Sequence, residues 1–406
     1  MNKISLQNWQ RSIAQELKEN LLAYWIKHTQ DSENGGFYGR ISNNNQVHKD
    51  APKSLILNTR ILWTFSAAYK KWKNPDYLEI ANRAYNYLIH NFIDSKYNGV
   101  YWMLDYRGNP VNDKKKSYGQ AFFIYSLSEY YKVDKNPKVK DLAINYFKLL
   151  LENIYDDENG GYFETCNRNW SLAEDLRLSD KDMNEKKSMN NHLHMLEAFT
   201  NLYRIWPDPE LEDKLRELVG NFLDYIICPE TYHFKLFFNE CWNTKSRNIS
   251  FGHDIEGSWL LCEAAEVLED RKLLDKIHSI SLKMVDATIM EGFTDNCGVY
   301  YEKEENGEIV EEIDWWPQAE AVVGLLNAFQ ISQDNKYLDL ATKAWNFIDK
   351  YIKNKKYGEW FYKVKPDGEP CQEKNKVSEW KGPYHGGRAC MESIEMLEKI
   401  ISIQGE

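Results

Sequence analysis

The chain has 406 residues, 43% of them hydrophobic, and a formal net charge of −11. That content supplies a core for two or three average domains or one large closed one. The acidic balance and the lack of any Lys/Arg-rich run exclude a nucleic-acid or anionic-membrane partner. No apolar run approaches a membrane span, and the charged, amphipathic N-terminus lacks the apolar core of a signal peptide. Seven scattered Cys without a CxxC motif predict reduced thiols and a cytoplasmic protein.

From the N-terminus onward, apolar residues recur at three- and four-residue intervals. They predict helices over 4–28, 54–72, 76–93, 117–132, 136–153, 189–206, 209–227, 255–269, 271–290, 316–332, 336–352 and 388–402. Asn74-Pro75, Asn136-Pro137, Pro207 with Pro209, and Asp334-Asn335 punctuate them as turns. The longer connections carry a repeated glycine–aromatic segment: NGGFYG (34–39), NGVYW (98–102), NGGYFE (159–164), YHFKLFF (232–238), CGVYYE (297–302) and YGEWFY (357–362). The fourth copy has lost its glycine. A recurrence of this kind is the mark of an array, and the segments read as short strands or hairpins.

Six helix pairs can build an open solenoid or a closed ring. Tyr118, Asn190, His253, Trp316 and His385 fall at or just before the start of every second helix, counted from the one that holds Arg60. In an up-and-down ring alternate helices point the same way, so these starts meet at one mouth. The expected fold is therefore all-α, an (α/α)6 barrel with short β-hairpins in its long loops. Nothing marks an internal boundary, so one domain is expected over 1–406.

The residues gathered at that mouth have a defined chemistry. His194, His253 and His385 are three of only nine histidines, and imidazole both takes and returns a proton near neutrality. In HLH (192–194) the two imidazoles point about 200° apart on a helix, so they cannot share an ion. His194 shares the face of Asn190, four residues earlier, which leaves His192 as a packing residue. A zinc site of His194, His253 and His385 is the alternative, but no acidic or Cys ligand accompanies them at familiar spacing. In GHDIEGSW, Asp254 is expected to cap the helix and Glu256 to orient His253. The glycines after His385 in YHGGR would let a ligand approach the backbone. Arg60 lies in the apolar run SLILNTRILWTF, where it needs either a polar ligand or a carboxylate partner. Trp316 and Trp380 offer flat apolar faces that suit a sugar ring, or pack helices. No Ser/His/Asp set, phosphate loop or dinucleotide fingerprint is present. The inventory fits proton abstraction next to a carbonyl, aided by helix N-termini where the enediolate charge develops.

These motifs carry a resemblance. ILNTRILW (56–63), GVYWMLD (99–105), SYGQAF (117–122), MNNHLHMLEA (189–198), FGHDIEGSWLL (251–261), WWPQAEAVVG (315–324) and EWKGPYHGGRACME (379–392) resemble, in order, the N-acylglucosamine 2-epimerase superfamily, most closely its cellobiose 2-epimerase branch. The resemblance implies an (α/α)6 barrel and epimerisation without metal, nucleotide or other cofactor. It makes His194, His253 and His385 the essential histidines, with His253 and His385 as the acid–base pair and His194 assisting. It makes Arg60, Tyr118, Asn190, Glu256, Trp316 and Trp380 the substrate contacts. The implied substrate is a β-1,4-linked disaccharide whose reducing glucose is opened, deprotonated at C2 and reprotonated on the other face. A monomer or weak homodimer is expected. Gly386 stands where Asn is expected in many members, which puts a polar contact from that position in doubt. Rival readings are a monosaccharide-acting N-acylglucosamine 2-epimerase or mannose-type isomerase, an (α/α)6 glycoside hydrolase using carboxylates such as Asp182, Glu256 and Glu320, and a helical-repeat binding scaffold.

Overall fold

The computed structural model describes residues 3–403. Its helices run in pairs. The first rod is α1 (Lys3–Gln15), continued through a π-helical turn into α2 (Ala23–His28). Then come α3 (Leu55–Trp72), α4 (Pro75–Tyr87), α5 (Ser117–Asp134), α6 (Pro137–Asn153), α7 (Met189–Tyr203), α8 (Pro209–Asn221), α9 (Phe251–Val267), α10 (Arg271–Gly292), α11 (Trp315–Ser332), α12 (Asn335–Phe347) and α13 (Tyr384–Ile403).

Burial separates the helices into two kinds. From Ser117 to Tyr130 in α5, and from Trp315 to Phe329 in α11, every residue is buried. In α12 the buried set is a stripe, with Tyr337, Leu338, Ala341, Ala344 and Trp345 recurring at helical spacing. A helix apolar on all sides belongs inside, and one with a stripe covers it. The contacts agree: α3, α5, α7, α9, α11 and α13 pack in a closed cycle in which α13 returns to α3. Helices α4, α6, α8, α10 and α12 each back the inner helix that precedes them, and α1 backs α13.

Local chemistry sets the helix ends. Asn74, Asn136 and Asp208 cap α4, α6 and α8 with their side chains, and each is followed by proline at the first helical position. Inner helices α3, α5 and α11 stop at Lys73, Lys135 and Gln333, all in the left-handed conformation that turns the chain out of a helix.

The glycine–aromatic segments form six equivalent turns, each folding back on the end of the preceding outer rod. The bridges are Gln30–Phe37, Ile93–Val100, Tyr155–Tyr162, Ile227–Phe234, Phe293–Val299 and Lys353–Trp360. The glycine-less fourth copy keeps the turn because Tyr232 itself takes a positive φ of 62°. Just before each inner helix the chain pairs with the next repeat: Lys53 with Leu104, Lys115 with Cys166, Lys187 with Phe238, Ile249 with Lys303 and Ile313 with Val364. Ile41 with Val377 joins the last repeat to the first. This loop layer sits over the starts of the inner helices, which places the site there. Among the described residues no helix is long and apolar enough to cross a membrane.

Candidate active site

The inner helix starts surround a cavity of about 460 Å³. Its walls include all nine residues singled out from the sequence: Arg60, Tyr118, Asn190, His194, His253, Glu256, Trp316, Trp380 and His385. Trp316 packs against two of the imidazoles, its ring centroid 4.7 Å from that of His253 and 5.6 Å from that of His385. Gly252 makes room for it, since a Cβ there would stand 2.5 Å from the Trp316 ring. Trp380 faces Tyr118 at 6.0 Å on the opposite wall.

Arg60 makes no ion pair among the described residues. Its guanidinium donates to the Tyr118 hydroxyl at 3.1 Å and to the Trp380 carbonyl, and lies over the rings of Phe122 and Tyr384. Arg60 Nε, Asn190 Oδ1 and Glu256 Oε2 are buried without a hydrogen-bond partner. Buried polar atoms are nearly always satisfied, so three such atoms on cavity-lining residues point to a polar ligand.

Beneath the imidazoles lies a second tier that the sequence reading did not assemble. His194 Nδ1 lies 3.0 Å from Glu197 Oε2, and His385 Nδ1 lies 2.7 Å from Glu320 Oε1. Arg388, itself fully buried, clamps this tier by donating to Glu197, to Glu256 and, at 2.8 Å, to Glu320. The Tyr384 hydroxyl also meets Glu197, and Trp259 Nε1 donates to Glu320 at 3.2 Å. Burial pushes the Glu256 carboxyl up to about 7, with the neighbouring Glu320 charge adding to the effect. Burial also raises Glu320. At Glu197 burial works the same way, but Arg388, His194 and Tyr384 together outweigh it and lower the group. His385 is held well below the usual imidazole value by burial and by the Arg60 and Arg388 cations. His253 falls to about 3 through burial and the nearby His194. His253 and His385 are therefore neutral at rest, and a carboxylate behind Nδ1 fixes the His385 tautomer so that its other nitrogen is free to take a proton.

Several expectations are corrected. Glu256 does not orient His253: its carboxylate turns to Arg388, and the His253 Nδ1 partner is the Ser250 hydroxyl at 2.6 Å. Asp254 is not a cap, because α9 begins at Phe251; its carboxylate instead holds His233 Nδ1 at 2.7 Å and the Phe234 backbone N–H. The glycines after His385 face packed side chains rather than a ligand, since a Cβ on Gly386 would meet Leu21 and Trp360, and one on Gly387 would meet Thr64. Position 386 thus points away from the cavity. His192 is a packing residue as expected: its Nδ1 meets the Ser188 carbonyl at 2.7 Å, and its Nε2 accepts from the Tyr162 N–H at 2.9 Å. The missed partners had a readable signal, for Glu197 and Arg388 each follow a cavity histidine by three residues on the same helix face. The rim adds Asp182, Tyr301 and Tyr362.

The N-acylglucosamine 2-epimerase (GlcNAc 2-epimerase) family profile matches residues 36–389. A cellobiose 2-epimerase of Bacteroides fragilis is 43% identical across 97% of this chain and 100% of its own length. One from Ruminococcus albus is 38% identical across 94% of this chain and 97% of its own. The solved structure of cellobiose 2-epimerase from Bacillus thermoamylovorans superposes with a TM-score of 0.91 at 37% identity, covering 96% of this chain and 99% of that one.

Proposed function

The chain belongs to the N-acylglucosamine 2-epimerase family, and we infer that it is a carbohydrate epimerase, a disaccharide 2-epimerase. It interconverts the reducing-end glucose and mannose of β-1,4-linked disaccharides, converting cellobiose to glucosyl-mannose and lactose to epilactose. Its scaffold is one (α/α)6 barrel spanning the chain. The seven cysteines, all unpaired, fit a cytoplasmic location.

In the reaction the reducing sugar opens to its aldehyde form. One imidazole takes the proton from C2 while the C1 carbonyl becomes an enediolate, and a second imidazole returns a proton to C2 from the other face. His253 and His385, both in contact with Trp316, are the pair for this step, with His194 assisting. Arg60, a buried cation already positioned by Tyr118 and the Trp380 carbonyl, faces the developing O1/O2 charge. Tyr118 and Asn190 orient the reducing sugar, and Glu256 offers its unpartnered Oε2 to a hydroxyl. Trp316 and Trp380 supply the apolar walls for sugar rings.

The observation that carries this reading is the convergence of the three histidines and Arg60 on one cavity, with two imidazoles backed by carboxylates. Parallel incubations with cellobiose, lactose, mannose and N-acetylglucosamine test it. Disaccharides epimerised fastest are the expected result. Faster turnover of either monosaccharide would move the chain to another activity of the family, and release of glucose from cellobiose would make it a hydrolase.

A further inference from the structure

Ser250 differs from the serines that precede the other inner helices. Ser54 and Ser188 use their hydroxyls to cap α3 and α7, accepting from Leu57 N–H and Asn191 N–H. Ser250 makes no such cap. Its hydroxyl lies against His253 Nδ1 at 2.6 Å instead. Ser250 and His253 also line a second chamber of about 190 Å³ beside the reaction cavity. Asn190, Asp182 and Tyr301 are walls of both spaces, and the chamber's outer rim includes exposed Met183, Lys245 and Glu305. A chamber of this size, bordered by Glu164, Asn248 and Ser246, has room and polar partners for several waters.

We propose that Ser250 is a relay that carries protons between His253 and solvent through this second chamber. A carboxylate behind Nδ1, as at His194 and His385, accepts only and fixes one tautomer. A hydroxyl both donates and accepts, so His253 can present either a lone pair or an N–H to the substrate while staying neutral. When His253 Nε2 takes the C2 proton, the Nδ1 proton moves to the Ser250 oxygen as the Ser250 hydroxyl proton passes to chamber water. The C2–H bond breaks, its electron pair enters the enediolate, and one proton leaves for solvent. Delivery runs the same chain backwards. His385, backed by Glu320 and Arg388, has no such outlet on its Nδ1 side. In the direction that uses His253 as base, it takes a proton from water in the reaction cavity before the sugar binds, and gives that proton to C2.

The proposal builds on the epimerase reading and is tested in two ways, the first through turnover and the second without it. In heavy water, deuterium entering C2 of the recovered substrate is compared with that in the epimer, starting separately from cellobiose and from glucosyl-mannose. The wild type should wash deuterium into the recovered substrate in the one direction that uses His253 as base. Ser250→Ala should lower this severalfold in that direction only, and Ser250→Thr, which keeps the hydroxyl, should restore it. Equal wash-in in both directions, or no change in Ser250→Ala, overturns the relay. The second test reads the ligand-free protein by 15N NMR of histidine, with His253 assigned by its absence in His253→Asn. Averaging between two neutral tautomers at His253 that collapses to one in Ser250→Ala is expected, and a single fixed tautomer in the wild type overturns the proposal. This measurement stands even if cellobiose is not turned over, an outcome that would count against the epimerase reading alone.

Discussion

His385 Nδ1 and Glu320 Oε1 lie 2.7 Å apart, and Arg388 Nη2 reaches that same oxygen at 2.8 Å. One carboxylate thus orients a cavity imidazole while being held by a buried cation. Glu320→Gln keeps the shape and removes the charge. Because a positioned acid–base group contributes roughly 10²–10⁴-fold, kcat on cellobiose should fall on the order of 10²-fold with KM little changed. Steady-state kinetics check this, and a change confined to KM would show that Glu320 does not act through the imidazole.

Among the described residues Arg388 is the one Lys or Arg paired with Glu197, Glu256 and Glu320. Breaking a buried ion pair by removing one partner costs about 3–5 kcal/mol, since the other charge stays buried. Arg388→Met should lower the stability read from urea unfolding by that order.

Glu256 titrates near 7 in the folded protein, against an ordinary 4.5, through burial and the neighbouring Glu320. A raised folded value means that the folded state holds the proton more tightly. Its contribution is therefore complete below about 4.5 and is lost as pH rises through about 7. Glu256→Gln should flatten this part of the stability profile, so that wild type and variant diverge in unfolding midpoint between pH 5 and pH 8, the wild type falling further.

His192 and His194 should separate fold from chemistry. His192→Phe removes the acceptor of the Tyr162 N–H and should cost about 1–3 kcal/mol of stability, with kcat per folded molecule retained. His194→Asn removes a buried partner of Glu197 and should also cost stability, but unlike His192→Phe it should lower kcat per folded molecule.

Gly252→Ala places a Cβ 2.5 Å from the Trp316 ring. The indole must shift within the cavity, and KM for cellobiose should rise. An unchanged KM would remove Trp316 from the sugar-binding wall.

The paired helices, their alternation and the gathering of their starts were legible in the sequence because each depends on local apolar spacing. So was the inward face of α7, since Asn190 and His194 are four residues apart. The carboxylate tier was not. Glu197 and Arg388 do follow histidines at helical spacing, but Glu256 follows His253 in the same way and turns instead to Arg388, across the barrel. Which carboxylate meets which imidazole is decided by a residue 132 positions further along the chain, and no local pattern contains that. The start of α9 was misplaced for a related reason: Asp254 looked like a cap because its true partner, His233, lies in the preceding loop.

The most direct test is the fate of the C2 hydrogen. Cellobiose is incubated with the protein in heavy water, and the reducing-end C2 of the isolated epimer is read by NMR. Proton transfer by His253 and His385 predicts glucosyl-mannose carrying deuterium at C2. An epimer that retains its original hydrogen there, or no epimer at all, would contradict the account.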